Sequence, residues 1–208
     1  MARRRISVFP LPGALLFPGL QLPLHIFEPR YCAMVSDALA RDRMIGMIQP
    51  RGEAVQGMHP PLFDVGGLGR IAEVEALDEG RFNIILEGVG LFRVVRELDA
   101  PTLFRQVEAE MIAPAPHPVL AAVERAALEQ EARRFAVWLG YRVDWEGVAE
   151  LDDETFTNAI AQIAPFDAAA KQALLEATDL SARAELAMQL MRFASSGRDP
   201  GETRATLQ

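Results

Sequence analysis

The chain is almost without lysine. Lys171 stands alone among 208 residues, beside 20 arginines. A phosphate-binding loop of the Gly-x-x-x-x-Gly-Lys-Ser/Thr kind needs its lysine to reach the terminal phosphates. Lys171 sits in Asp167-Ala-Ala-Ala-Lys-Gln172, with no glycine beside it. A Ser–Lys peptidase needs a lysine to activate its serine, and the one lysine lies on an alanine-rich helical pattern. No P-loop ATPase or Ser–Lys centre is expected in these residues. Cysteine is as scarce. Cys32 alone excludes an intrachain disulfide, and its neighbours Ala33 and Met34 make an inert thiol the expectation. Histidine occurs three times, and His59 and His117 lie in proline-rich stretches. No apolar run approaches the roughly 20 residues of a membrane-spanning helix. The apolar stretch after Arg3-Arg4-Arg5 is broken by Pro10 and Pro12, so no secretory leader is expected. The cytoplasm is the expected location, and no membrane partner is expected.

An excess of positive charge is missing too. The net charge is −8. Up to Ala115, 12 arginines face 14 acids; beyond it, 9 basic residues face 15 acids. Neither part carries the basic stripe that phosphate neutralisation requires, so nucleic acid is not the expected partner.

What the chain has is proline and glycine in an apolar opening. Prolines at 10, 12, 18, 23 and 29 forbid a long helix there and push their predecessors toward extended geometry. Pro12-Gly13 and Pro18-Gly19 are turn chemistry. The opening reads as short extended pieces ending in a helix from Pro29 to about Ala40, with Tyr31, Met34, Val35, Ala38 and Leu39 as its stripe.

Residues 1–112 then read mostly as strands. Met44–Gln49, Leu62–Val65, Gly69–Leu77, Arg81–Glu87, Leu91–Leu98 and Leu103–Met111 alternate or run apolar, with glycine-marked turns between them. Gly88 and Gly90 read as a break between two strands. The pattern predicts an antiparallel sheet closed or folded on itself. Residues 113–118 form a proline-rich hinge. Over residues 119–194 the period turns helical. Ala121, Leu128, Ala132, Phe135 and Leu139 line a long helix that Gly140 stops. Asp152 or Asp153, Asp167, and Asp179 or Ser181 start three more helices. Residues 195–208 read as a disordered tail.

Five segments carry a resemblance. They are Phe9-Pro-Leu-Pro-Gly13 with Leu16-Phe-Pro-Gly19; Leu22-Pro-Leu-His-Ile-Phe-Glu-Pro-Arg-Tyr31; Gly66-Gly-Leu-Gly-Arg-Ile71; Glu87-Gly-Val-Gly90; and Pro165-Phe-Asp with Lys171-Gln-Ala-Leu-Leu-Glu176. Together they resemble the N-terminal substrate-binding domain of Lon proteases across nearly the whole chain, in a form without the ATPase and peptidase domains. The second segment is the most specific. The resemblance implies an α+β fold: a β-rich pseudobarrel related to the PUA fold, with one helix, then a helical bundle. It implies a non-catalytic module that recognises unfolded or degron-bearing polypeptides, without a cofactor, and an adaptor-like or chaperone-like role beside a separate ATP-dependent protease. One departure stands out: similar sequences often carry arginine after the glycines, where this chain has Leu91.

The candidate polypeptide-binding residues are Leu15, Leu16, Phe17 and Leu20 on the proline–glycine loop, and Phe63 beside Gly66. The same residues are equally well read as core. Pro12, Gly13, Pro18, Gly19, His25, Glu28, Pro29, Arg30, Tyr31, Gly69, Gly88 and Gly90 read as structural members of the motifs. His25 and Glu28 have a metal-like spacing, but metal sites need more ligands; Glu28 with Arg30 reads as an ion pair at the strand–helix junction. Gly88-Val-Gly-Leu-Phe-Arg93 lacks the third glycine and the helix of a dinucleotide site. Trp138, Tyr141 and Trp145 form either a binding platform or packing between the two halves. Asp152-Asp-Glu154 complements a helix dipole. No nucleophile–base pair emerges, so an enzyme is not expected. The alternatives are an RNA-binding PUA-like protein, a small-molecule pocket in the barrel, or a dedicated protein–protein module.

Overall fold

The computed structural model describes residues 3–52, 60–113, 119–177 and 179–196. The fold is α+β. The chain divides into two compact units: Met1–Pro114 with Asp167–Leu175, and Ala115–Phe166 with Glu176–Gln208. The expected hinge and tail fall mostly outside the described residues.

The first unit is a closed sheet. Its strands are β1 (Arg3–Pro10), β2 (Gln21–Ile26), β3 (Met44–Ile48), β4 (Val65–Ala76), β5 (Phe82–Leu98) and β6 (Gln106–Ile112), with helix α1 (Pro29–Leu39) between β2 and β3. The strand order is β2-β5-β4-β3-β1-β6, and β5 also pairs with β6. Five strands therefore form a ring, with β2 added at one side. The 17-residue length of β5 makes this possible. One edge of β5 pairs with β4. Its other edge is shared: β2 takes residues 82–87 and β6 takes residues 91–98.

Two expectations about this sheet need correction. Gly88 and Gly90 do not end a strand; β5 runs straight through them. The sheet is also not wholly antiparallel, because β1 and β3 pair in parallel. A parallel pair needs a crossover, and the β2–α1 segment supplies it. In addition, β4 starts at Val65 rather than Gly69, and β6 starts at Gln106 rather than Leu103.

Helix α1 sinks Tyr31, Met34, Val35 and Ala38 into a core shared with Phe9, Ile45, Met47 and Leu86. A second core joins Ile6, Val8, Leu68, Phe92, Val107 and Ala109.

The helical unit holds α2 (Ala122–Leu139), α3 (Trp145–Ala149), α4 (Asp153–Ile163) and α6 (Leu180–Ser196). Local chemistry marks the ends. Gly140 closes α2 at φ +72°, a left-handed C-cap that suits glycine. Asp144 and Asp152 accept the backbone N–H groups of Gly147 and Thr155 at the starts of α3 and α4. Asp179 does the same for Ala182 at the start of α6. Helix α6 continues through Ser196, so residues 195 and 196 are helical rather than tail. Inside the unit, Glu131 is buried and receives Arg192 at 2.9 Å. The Arg183 guanidinium, also buried, donates to Asn158 Oδ1 at 2.9 Å.

Helix α5 (Ala168–Glu176) is the exception to the two-part reading. The sequence places it with the helices, yet residues Asp167–Leu175 pack with the first unit. The reason is a polar network described next.

Candidate functional site

The proline–glycine loop is core, not surface. Leu15 is 2% exposed, and Leu16 and Phe17 are fully buried. This corrects their placing as polypeptide-contacting residues, in favour of the core reading. Position explains it. The loop fills the gap on the β5 edge between β2 and β6. Gly19 N–H donates to Gly88 O at 2.9 Å, and Gly88 N–H donates to Leu20 O at 2.8 Å. The loop backbone lies so close that a Cβ on Gly88 would meet Phe17 O at 1.9 Å. A Cβ on Gly67 would meet Leu16 O at the same distance. Gly69 faces the Leu16 side chain from β4, and Gly90 faces Met111. Pro12 and Pro18 set the turns in which Gly13 and Gly19 take positive φ, +72° and +77°. Leu20 and Phe63 are only half-buried, and the Arg51 guanidinium lies 5.0 Å from the Phe63 ring centroid.

At the strand–helix junction Pro29 opens α1 after Glu28, where a missing N–H costs nothing. Arg30 donates to Glu28 Oε2 at 3.0 Å and 2.8 Å. This is the expected ion pair, but both partners are 43% exposed, so its contribution is below about 1 kcal/mol. Arg30 also covers the Tyr31 ring at 4.5 Å. Burial raises the Tyr31 hydroxyl above its ordinary value, with Arg30 opposing. His25 is exposed and meets Asn83 Oδ1 at 2.8 Å and the Phe27 ring. His59 and His117 lie outside the described residues. Cys32 is half-buried, with its Sγ 3.8 Å from Ile26 O. Leu91 is half-buried and opposite Ile112.

A buried polar network anchors α5 to the first unit. Gln49 Oε1 accepts from Gly13 N–H at 2.8 Å. Gln49 Nε2 donates to Ala168 O and Gln172 Oε1, both at 3.0 Å. Gln172 Nε2 donates to Val65 O at 3.1 Å. The lone lysine belongs here: Lys171 Nζ donates to Gly13 O at 3.0 Å. Burial holds its ammonium below the ordinary lysine value. Its observed part is structural.

An open apolar surface lies in the helical unit, at the aromatic residues that the sequence offered as a binding platform or as packing. A groove of about 160 Å³ lies between α2, α4 and the 141–151 segment, lined by Phe135, Tyr141, Trp145, Leu151, Ile160 and Ile163 among others. Its lining is almost wholly apolar. Ile163 is 68% exposed and Tyr141 51%. Of the aromatic trio, Tyr141 and Trp145 line this groove, while Trp138 stacks on Phe135 with centroids 5.5 Å apart. Arg133, paired with Glu129, covers the Trp145 ring at 4.3 Å. A signal was present in α4. Phe156, Ile160 and Ile163 follow an i, i+4, i+7 spacing that defines one helical face, and Ile163 continues that face into solvent.

A β-rich unit and a helical unit that carries an open apolar groove make up an α+β chain. The chain belongs to the ATP-dependent protease La (LON) substrate-binding domain family, whose model matches residues 5–192. It is 28% identical over 198 residues to a Lon protease 2 of Sorangium cellulosum, covering 89% of this chain and 24% of that protein. It is 26% identical over 194 residues to a Lon protease 2 of Myxococcus xanthus, covering 89% and 23%. The chain thus spans about a quarter of the length of these relatives. In fold it matches a Lon N-terminal domain protein from Xanthomonas campestris, with TM-score 0.66 and 20% identity, covering 91% of this chain and 98% of that one. It also matches the N-terminal domain of a Mycobacterium avium complex Lon protease, with TM-score 0.68, 17% identity and the same coverages. Among the described residues, no helix is long and apolar enough to cross a membrane.

Proposed function

We propose that this chain is a polypeptide-recognition module that engages unfolded or degron-bearing proteins and does no chemistry on them. One observation carries the reading: the apolar groove of the helical unit, with Ile163 and Tyr141 turned to solvent. Exposed apolar patches of this kind mark sites where a partner's side chains leave water. An unstructured chain meets them readily because its own apolar residues are unburied. The groove is smaller than the roughly 300–1,000 Å³ of small-molecule sites, so side-chain anchors suit it better than a whole ligand. Leu20 and Phe63 offer a second, lesser apolar surface on the first unit. Family membership fits engagement of protein clients for ATP-dependent proteolysis.

The test is fluorescence anisotropy of a labelled, permanently unfolded polypeptide titrated with the full chain, with a folded protein and RNA alongside. Saturable binding of the unfolded chain alone is the expected result. Binding of RNA alone, or of none of the three, overturns it.

A further inference from the structure

The strand ring of the first unit leaves two edges open, and they are built differently. Strand β2 ends the strand order, and Pro23 lies in its middle. A proline cannot donate on an outer edge, so that edge is blunted. Strand β4 is covered by β3 only over residues 67–70. Arg43 closes that stretch: its carbonyl accepts from Ile71 N–H at 2.8 Å, and its guanidinium donates to Ile71 O at 3.0 Å. Beyond it, residues 73–76 still pair with β5, after a bulge at Ala72. Among the described residues no strand pairs with their other side, and residues 72–76 are all exposed. Such an edge presents unpaired N–H and C=O groups to any extended chain.

The side chains of this edge are sorted by face. Val74 ends the cross-strand row Leu24–Ile84–Val74. Leu24 and Ile84 pack with the core, while Val74 at the open edge is 40% exposed. Glu73 and Glu75 stand on the opposite face, in the rows Pro23–Ile85–Glu73 and His25–Asn83–Glu75. Both glutamates line one depression with these residues. Asn83 Nδ2 donates to Glu75 Oε2 at 2.8 Å. Among the described residues neither glutamate forms an ion pair. The flanking Arg70 and Arg81 are paired with Glu87 and Glu79. The same edge of a second copy, centred on Val74, would set glutamate against glutamate, which is unfavourable across strands.

Resting on the polypeptide-recognition reading above, we propose that the 72–76 edge takes an extended client segment as an added strand. The segment carries arginine or lysine at alternate positions, with β-branched apolar residues between them. Main-chain hydrogen bonds supply the attachment, and alternate side chains supply the selection. The apolar residues extend the row beyond Val74. The basic residues stand beside Glu73 and Glu75, as opposite charges do across paired strands. Five residues at about 3.4 Å each give a contact of about 17 Å. This contact belongs to the first unit and does not use the groove of the helical unit.

Three labelled nine-residue peptides test this against the full chain by anisotropy, with the permanently unfolded polypeptide alongside. One has a Val-Arg-Val-Arg-Val centre and one a Val-Glu-Val-Glu-Val centre. The third repeats the arginine peptide with an N-methyl group on every central amide. The arginine peptide is expected to bind about 10-fold tighter than the glutamate peptide at low salt, and the N-methylated one is expected not to bind. Glu73→Arg with Glu75→Arg is expected to reverse the charge order. Ile163→Asp, in the other unit, is expected to leave the affinity for the arginine peptide unchanged. Equal binding of the plain and N-methylated peptides overturns strand addition. Equal affinity for the arginine and glutamate peptides overturns the charge selection. Loss of the arginine peptide on Ile163→Asp moves it to the groove and overturns the inference. Binding of the unfolded polypeptide but of none of the peptides overturns the inference and leaves the recognition reading standing. Binding of none of the four overturns both.

Discussion

The two units treat their apolar residues in opposite ways. In the β unit, the apolar proline–glycine loop is sealed inside: Leu16 and Phe17 are fully buried, pressed against Gly67 and Gly88. In the helical unit, Ile163 at the end of α4 is 68% exposed over an apolar groove. The difference lies in what stands opposite each side chain. The shared edge of β5 leaves a gap between β2 and β6 that the loop fills. The five-residue helix α3 walls the groove but does not cover it. An apolar run in a sequence is thus weak evidence for a binding surface; the decisive quantity is whether the neighbouring elements close over it.

The largest effect should come from the sealed side. Gly88→Val places a branched side chain against a backbone carbonyl that a Cβ already meets at 1.9 Å. Either the loop or β5 must move. Overpacking of this severity should cost about 3 kcal/mol or more, read by urea denaturation. A variant of near-parental stability would mean the loop can lift away, and the contrast between the units would fail.

A smaller loss is expected at the α5 anchor. Gln172→Leu removes the acceptor of Gln49 Nε2 and the donor to Val65 O in a buried setting. Stranded buried polar groups cost about 1–3 kcal/mol each, and Gln49 keeps its bond to Ala168 O, so about 2 kcal/mol is expected. Hydrogen exchange should rise in α5 first, while α2 and α6 stay protected. Uniform loss of protection would show that α5 does not open on its own.

These two sites also show what the sequence could and could not reveal. Periodicity and capping residues are local, so α1, the end of α2 at Gly140 and the Asp167 start were legible, and the other two starts were narrowed to Asp152 or Asp153 and to Asp179 or Ser181, of which Asp152 and Asp179 are the caps. The role of Gly88 was not. A glycine in a strand reads the same whether the chain turns there or another backbone presses on it. Here the pressing loop lies some 70 residues earlier in the chain. The Gln49–Gln172 bond spans 123 positions, and no window of sequence contains it, so α5 was grouped with the wrong neighbours. The buried fate of Leu15, Leu16 and Phe17 was open for the same reason. The helix α3 is too short for its period to register, and with it went the wall of the groove.

A third, milder test sharpens the helical side. Asp152 caps α4, accepting Thr155 N–H at 2.8 Å and Thr155 O–H at 2.7 Å. Those bonds lower its carboxyl below the ordinary value of 3.8. A depressed carboxylate stabilises the fold above its unfolded value, and that contribution disappears as pH falls through the folded one. Asp152→Ala should cost about 1 kcal/mol at pH 7. Asp152→Asn keeps an acceptor without the charge, so its deficit should shrink between pH 6 and pH 2 in thermal melts. A deficit constant with pH would remove the charge from the account of this cap.

The smallest stability effect is expected where the functional effect is expected to be large. Ile163 is the last residue of α4, mostly in water, and Ala164 after it is already non-helical. Replacing it by aspartate removes little buried area, so the cost should stay within about 0.5 kcal/mol. Leu16→Ala, at a fully buried site, should cost about 3–5 kcal/mol by transfer and cavity terms. Side by side in one urea series, the pair measures how differently the two units use the same kind of side chain. Should Ile163→Asp prove as costly as Leu16→Ala, then Ile163 is packed in solution and the groove is closed. Should it prove neutral while polypeptide binding is lost, the exposed isoleucine is held open for a partner and contributes nothing to the fold that displays it.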